Sequence, residues 1–206
     1  ANTLKVDTGA LVGAWATGGA LNTARGYLAG AGIQTAALAF GGNLPPVTGA
    51  TESYNGTNWT SVNSLNTAVK GLAAAGTTTS ALAFGGVRTP KALTESYNGT
   101  SWTEVNDLTT ARSYLSGCGA SNTAALAFGG DAPVAGSALT ETWNGTNWTE
   151  VGDLNTGRQQ LAGAGINTAA LAIGGNDPGG TGNKAIVESY NGTSWTEVGD
   201  LNAGRQ

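Results

Sequence analysis

The 206-residue chain contains no histidine and no methionine, and its one cysteine is Cys118. Without histidine there is no His-based acid–base catalysis, no His metal ligand and no Ser-His-Asp triad. A single cysteine excludes an intrachain disulfide framework and a Cys-cluster zinc site. We therefore expect no catalytic residue, no metal site and no cofactor, and we expect that the protein is not an enzyme.

Charge is also scarce. The chain has 9 basic and 13 acidic residues, its net charge is −4, and the basic residues form no block. This pattern argues against nucleic acid or an anionic membrane as the partner. No apolar run approaches the roughly 18 residues of a membrane span. The first residues include Lys5 and Asp7 and lack a long apolar stretch, so we expect neither membrane insertion nor a signal peptide.

Glycine, by contrast, is abundant, with 34 residues, and most of them fit a repeat. Tryptophans recur at spacings of 44, 43, 46 and 47 residues, at Trp15, Trp59, Trp102, Trp148 and Trp195. A leucine follows each tryptophan six positions later, and a double glycine recurs at Gly41-Gly42, Gly85-Gly86, Gly129-Gly130 and Gly174-Gly175. Periods of roughly 40 to 50 residues indicate a propeller or an array of repeats.

Each unit is predicted to contain four short strands. In the unit at 108–153, the alternation of small and apolar residues predicts strands at 114–119, 123–128, 138–143 and 146–151. The last two are joined through Asn144-Gly145, a hairpin signal that predicts a type I′ turn with positive φ at both residues. No segment has helical periodicity, so the sequence predicts an all-β chain of four-stranded units.

The spacing of double glycine, aromatic residue and tryptophan, as in GGNLPPVTGATESYNGTNW, resembles the kelch repeat. The resemblance covers about residues 10–206 and implies a kelch-like β-propeller. The close similarity of the units also resembles the repeat arrays of marine bacteriophage virion and tail-fibre proteins, which implies a virion or extracellular surface location. A propeller fold by itself implies little about function.

The repeat boundaries predict a single β-propeller domain over 1–206. Its full units occupy 21–64, 65–107, 108–153 and 154–200, while 1–20 and 201–206 read as the tail and the head of a partial fifth blade. We favour a ring of five positions. The alternatives are a ring of four blades with an extra N-terminal strand, or a chain cut from a longer array.

The loops between second and third strands vary while the rest of each unit repeats. They lie at 43–50, 87–92, 131–138 and 176–185, and kelch propellers carry them on the same face as the connections between blades. Variation confined to one connection of a repeated scaffold is typical of a binding surface. The candidate ligand-binding residues are Asn43, Arg88, Asp131, Asn176 and Asp177. The alternative is that surface loops drift because nothing constrains them.

Arginines recur four positions after the repeat leucine, at Arg25, Arg112, Arg158 and Arg205, whereas the second unit has Val69 there. The kelch resemblance implies that these arginines line the mouth of the central channel. There they would bind carboxylate, sulfate or sugar hydroxyls through bidentate geometry. The alternative is structural pairing with the glutamates of the third strand, Glu52, Glu95, Glu141 and Glu188.

The aromatic pair of each unit, such as Tyr54 and Trp59, has two readings as well. It could form a sugar-stacking platform, but its fixed place in every unit favours a core between blades.

We expect a non-enzymatic binding module that recognises a glycan or a protein through the loop face. The alternative function is a structural or assembly segment of a virion or fibre, whose partners would be other virion proteins or further copies of itself.

Overall fold

The structure, a computed structural model, describes residues 18–87, 92–132, 137–177 and 182–206. Within these ranges all regular structure is β, arranged as four antiparallel four-stranded sheets without a helix. Consequently no described segment forms a helix long and apolar enough to cross a membrane. The all-β prediction is confirmed for this part of the chain.

Each sheet is a meander whose spatial strand order follows the chain. Sheet 1 contains β1 (Ala29–Ile33), β2 (Ala36–Phe40), β3 (Thr51–Tyr54) and β4 (Trp59–Val62). Sheet 2 contains β5 (Ala73–Thr77), β6 (Ser80–Phe84), β7 (Thr94–Tyr97) and β8 (Trp102–Val105). Sheet 3 contains β9 (Ser116–Ser121), β10 (Ala124–Phe128), β11 (Thr140–Trp143) and β12 (Trp148–Glu150). Sheet 4 contains β13 (Ala162–Ile166), β14 (Ala169–Ile173), β15 (Val187–Tyr190) and β16 (Trp195–Glu197).

The predicted type I′ turn is wrong. Four residues, Asn55 to Asn58, connect β3 to β4, and Tyr54 pairs directly with Trp59 across the hairpin. Only Gly56 has a positive φ, at 92°. The Asn55 side chain instead accepts hydrogen bonds from the N–H groups of Thr57 (3.0 Å) and Asn58 (2.9 Å). An asparagine that caps the turn with its side chain does not need the left-handed backbone.

The first strands of the sheets lie side by side, with contacts from β1 to β5, from β5 to β9 and from β9 to β13. Glycine and alanine dominate where these strands meet, and they line an open groove of about 160 Å³. Cys118 lies in this row and is buried, and burial raises the pKa of its thiol to about 12. Small residues let the strands approach closely, so the sheets fit a blade-like arrangement.

Consecutive sheets meet in three seams of the same construction. In each, a phenylalanine of one sheet packs against the tryptophan of the next, with ring centroids 4.8 to 5.0 Å apart: Phe40 with Trp102, Phe84 with Trp148 and Phe128 with Trp195. The indole Nε1 of that tryptophan donates to a threonine of the preceding sheet, as from Trp102 to Thr51 at 3.2 Å. The tyrosine or tryptophan that precedes it in the same hairpin completes the cluster, which confirms the predicted core role for the aromatic pairs of sheets 2, 3 and 4. Tyr54 and Trp59 of sheet 1 are half-buried and belong to none of these clusters.

The buried indole bond is directly testable at the seam between sheets 2 and 3. Trp148 Nε1 donates to Thr94 Oγ1 at 3.1 Å, and Thr94 has no exposed surface. Thr94→Val keeps the shape but leaves a buried donor without a partner, so urea unfolding should show a loss of about 1–3 kcal/mol. The control is the same change in a Trp148→Phe background, which lacks the indole donor, so that Thr94→Val should cost clearly less there. A loss as large in the control would contradict this role of the hydroxyl.

Candidate functional site

The segments that lead into the first strand of each sheet share one end of the molecule with the variable loops. We call them the lead-in loops: 21–28, 65–72, 108–115 and 154–161. Each begins and ends with a leucine. The residue six positions after the first leucine has a left-handed backbone in all four loops: Tyr27 (φ 55°), Gly71 (φ 63°), Tyr114 (φ 53°) and Gln160 (φ 53°).

A ladder of backbone hydrogen bonds explains this unusual conformation. The N–H of Gly71 donates to the carbonyl of Tyr27 (2.9 Å), that of Tyr114 donates to Gly71 (2.8 Å), and that of Gln160 donates to Tyr114 (2.8 Å). Each of these hydrogen bonds therefore joins two consecutive lead-in loops. Left-handed backbone costs a residue with a Cβ about 1–2 kcal/mol, whereas glycine adopts it freely. Among the described residues, the non-glycine residues with positive φ are these three members of the ladder.

These residues border a cavity of about 390 Å³, which we call the mouth. Gln206 and four leucines complete its lining: Leu28, Leu72, Leu115 and Leu161. The ring of Tyr114 lies directly over Gly71, where a Cβ would approach it to 2.8 Å. Tyr27 is 58% exposed and meets Tyr114 edge-on, with ring centroids 6.1 Å apart. The mouth thus offers two phenol rings and two amides, with no charged side chain in its described lining.

Asn176 supports the amide side of the mouth. Its side-chain Nδ2 donates to Gln160 Oε1 (3.0 Å) and to Gln206 Oε1 (2.5 Å). The residue is only 4% exposed, and its Oδ1 accepts no hydrogen bond from a described residue. A buried acceptor without a partner is costly in a folded protein.

The structure places the candidate residues of the variable loops beside the lead-in loops. The backbone of Asn43 bridges to Gly26, that of Asp131 to Ser113, and that of Asn176 to Gln159. Asp177 instead forms an ion pair with Lys184 at 2.7 Å. Arg88 lies outside the described residues. The expected sharing of one face by variable loops and lead-in loops is therefore observed for the described members.

The arginines occupy a different place. Arg25, Arg112 and Arg158 form ion pairs with Glu52, Glu141 and Glu188, and their side chains have no exposed surface. None of them is among the described residues that line the mouth. The structural pairing, one of the two alternatives that the sequence left open, is confirmed for these three units.

Each guanidinium also ties strands of its own sheet to the lead-in loop. Arg112 donates to the carbonyl oxygens of Gly129 (3.0 Å) and Leu139 (2.5 Å) as well as to Glu141 (2.8 Å). Burial lowers the pKa of Arg112 and the Glu141 charge opposes this shift. Because an arginine remains protonated in proteins, the pair stays ionic.

The glutamates hold the other end of the same connection. In every unit the carboxylate accepts the N–H of the residue after the repeat leucine at 2.7 Å: Asn22 to Glu52, Asn66 to Glu95, Thr109 to Glu141 and Asn155 to Glu188. Burial alone would raise the pKa of Glu52, but hydrogen bonds from Arg25 and Asn22 and the arginine charge lower it below 4.5. The Arg–Glu motif is therefore scaffold that fixes the lead-in loops.

Sequence reasoning missed Tyr27, Tyr114 and Gln160. The available signal was the column six positions after the repeat leucine, which reads Tyr, Gly, Tyr and Gln between two fixed leucines. The glycine in that column indicates a left-handed backbone. Large side chains in the same column then indicate residues kept for a purpose other than stability.

Comparison with models of known protein families gives no match, and no curated protein matches the chain. The described residues contain no group of three or more histidine, cysteine, aspartate or glutamate side chains that could hold a metal ion.

Proposed function

We propose that this chain is a non-enzymatic binding module with kelch-like β-propeller architecture, and that it binds a glycan at the mouth. The observation that carries the proposal is the left-handed backbone of Tyr27, Tyr114 and Gln160. Strained backbone persists at ligand sites because the surrounding structure enforces it. Here Gly71 shows that the fold accepts glycine at this position, so stability alone would favour glycine in every unit.

The chemistry of the mouth favours a neutral, hydroxyl-rich ligand. Phenol rings offer apolar faces with a polar tip, and the amides of Gln160 and Gln206 both donate and accept hydrogen bonds. A volume of about 390 Å³ lies within the roughly 300–1,000 Å³ of small-molecule sites, which suits one or two sugar rings. The described lining offers no charged side chain to an acidic or basic peptide.

The proposal predicts that Tyr114→Gly abolishes glycan binding without unfolding the protein. The substitution copies Gly71, removes a ring from the mouth and relieves the left-handed strain. The free energy of unfolding should stay within about 1 kcal/mol, because the relief offsets the larger chain entropy that glycine has to lose. A glycan array probed with the wild type and this variant measures the loss, and chemical denaturation measures the stability.

Tyr114→Phe is the matched control, since it keeps the ring face and should retain most of the binding. Wild-type protein that binds no glycan on the array would contradict the glycan proposal. Binding that survives Tyr114→Gly unchanged would place the site elsewhere. If the wild type binds a protein in place of a glycan and Tyr114→Gly abolishes that binding, the mouth remains the site and the ligand class changes.

Display on a virion or extracellular surface is part of the same proposal and is supported by the repeat resemblance.

A fifth position of the propeller is also part of the proposal. Residues 201–206 support it, because Leu201 N–H donates to Ala185 O (2.9 Å) as Leu65 N–H donates to Gly49 O (2.9 Å). The C-terminal residues thus repeat the start of a lead-in loop.

A structural or assembly segment is the second candidate function. It is favoured by the outer faces of sheets 1 and 4, which no described sheet covers. Leu171 of sheet 4 is 37% exposed, while Leu38, Leu82 and Leu126 at the same repeat position are at most 1% exposed. An assembly role predicts that these faces bind a partner.

A further inference from the structure

The two glutamines of the mouth share one hydrogen-bond donor. Gln160 and Gln206 both accept from Asn176 Nδ2 through their Oε1 atoms, at 3.0 and 2.5 Å. The two amide groups therefore lie next to each other, and each turns its oxygen toward Asn176. Neither Nε2 donates to a described residue, and both glutamines line the mouth. Two N–H-bearing groups are thus free to meet a ligand there.

Asn176 is held firmly enough to set the direction of both amides. It is only 4% exposed, and its backbone exchanges two hydrogen bonds with Gln159 of the lead-in loop, at 2.9 and 3.2 Å. An NH2 group only donates, so it contacts the oxygen of a glutamine amide and not the nitrogen. Asn176 therefore determines which end of Gln160 and of Gln206 remains for a ligand.

The rest of the mouth combines apolar surface with the two phenol rings. Leu72, Leu115 and Leu161 contribute to its lining and are otherwise buried, with 6 to 7% of their surface exposed. No charged side chain belongs to the described lining, so a carboxylate or an ammonium group would lose hydration there without gaining a charged partner. The mouth therefore suits a neutral group that joins a strong acceptor to an apolar part.

We infer that the mouth selects sugars that carry an N-acetyl group, an inference that rests on the proposed glycan function. The acetamido carbonyl oxygen has two lone pairs, and it accepts from Gln160 Nε2 and Gln206 Nε2. The methyl group packs on the leucines, while the sugar ring lies against Tyr27 or Tyr114. Asn176 is the positioning residue, since it acts through the two glutamines. A hydroxyl at the same place on the sugar offers no methyl group and is selected less.

The chain itself supplies suitable substitutes for Asn176. The residue after the double glycine bridges to the lead-in loop in every unit, and the four are Asn43, Val87, Asp131 and Asn176. The backbone at this repeat position consequently accepts both valine and aspartate. Asn176→Asp and Asn176→Val therefore change the group that meets the glutamines without requiring a new backbone conformation.

An NMR titration with matched neutral sugars tests the inference. The pairs are N-acetylglucosamine with glucose and N-acetylgalactosamine with galactose, and the shifts of the Tyr114 amide signal give each Kd. Within at least one pair, the wild type should bind the acetylated sugar about tenfold more tightly, because two additional hydrogen bonds form. The ratio of the two Kd values is the readout for every variant.

Asn176→Asp should remove this preference. Its carboxylate has no donor, so Gln160 and Gln206 turn their Nε2 atoms toward it and present oxygens to the mouth, which repel the acetamido carbonyl. Asn176→Val should also lower the ratio, because neither amide is then held. A merely structural role of Asn176 would weaken both sugars of a pair equally and leave the ratio unchanged, and that result would overturn the inference.

Asn183→Asp is the matched control, because it makes the same change of charge in the same variable loop. Asn183 is exposed, its backbone bridges to Asn176, and it is not among the described residues that line the mouth. This variant should keep the wild-type ratio, and its loss of the preference would contradict the role given to Asn176. Matching circular dichroism and thermal melting confirm that the variants are folded. If Asn176→Asp does not fold, Asn176→Val replaces it.

The outcomes separate this inference from the proposed function. Equal binding of acetylated and parent sugars, lost in Tyr114→Gly, would overturn the N-acetyl selectivity and leave the mouth as a glycan site. Acetylated sugars that bind as tightly to Tyr114→Gly as to the wild type would overturn both, since the site would then lie elsewhere. Absence of binding to any sugar would also contradict both.

Discussion

Replacing Trp148 with alanine should lower the free energy of unfolding by about 3–5 kcal/mol, the range for large-to-small changes in a packed core. Trp148 is 4% exposed, and its ring centroid lies 4.9 Å from that of Phe84 across the seam between sheets 2 and 3. Its Nε1 also donates to Thr94. The change therefore removes an aromatic pair, a hydrogen bond and a large apolar volume together. Urea unfolding followed by fluorescence or circular dichroism measures the loss.

Trp59→Ala is the matched control, because Trp59 occupies the same repeat position in sheet 1 and has no described preceding sheet to pack against. It should cost less than half as much. Equal losses at the two positions would mean that the seams do not provide the main stabilisation of the array.

Replacing Arg112 with alanine should cost about 3–5 kcal/mol as well, the loss expected when one partner of a buried ion pair is removed. The Glu141 carboxylate would remain buried without its charge partner. The carbonyl oxygen of Gly129 would lose the Arg112 donor, and that of Leu139 would keep only the N–H of Gly129. A variant this destabilised should show a clearly lower midpoint of urea unfolding, and that midpoint is the measurement.

Arg205→Ala is the control for the arginine motif. Arg205 holds the same repeat position but is exposed, and its described side-chain hydrogen bond is a long one of 3.5 Å to Ala203 O. Its removal should change stability by no more than about 0.5 kcal/mol. If Arg112→Ala kept wild-type stability and lost glycan binding, the arginines would be ligand residues.

The repeat and its strands could be predicted from the sequence because their signals are local and recur in every unit. The predicted strand at 123–128 is observed as β10 (Ala124–Phe128), and the predicted strand at 146–151 as β12 (Trp148–Glu150). The Asn-Gly turn was predicted at the right place with the wrong conformation. There the asparagine caps the turn with its side chain, and only the glycine has a positive φ.

The site could be predicted only in part. The kelch resemblance implied the face, and the structure brings variable loops and lead-in loops together at one end of each meander. The sequence could not decide whether the arginines point to the mouth or into the sheets, since both sides of a crowded repeat contain polar groups. It also gave no direct indication of a tyrosine in left-handed conformation. That conformation is set by the ladder from Tyr27 to Gln160, which joins loops more than 40 residues apart in sequence.

The central claim is that the mouth is the binding site, and it is tested most directly by titrating the wild type with a glycan identified on the array. Amide signals in a nitrogen–proton correlation spectrum are followed during the titration. We predict shifts in the backbone amides of Tyr27, Tyr114 and Gln160 and in the side-chain amides of Asn176 and Gln206. Shifts confined to the hairpin turns at the opposite end of the sheets, such as Asn55 to Asn58, would contradict the account.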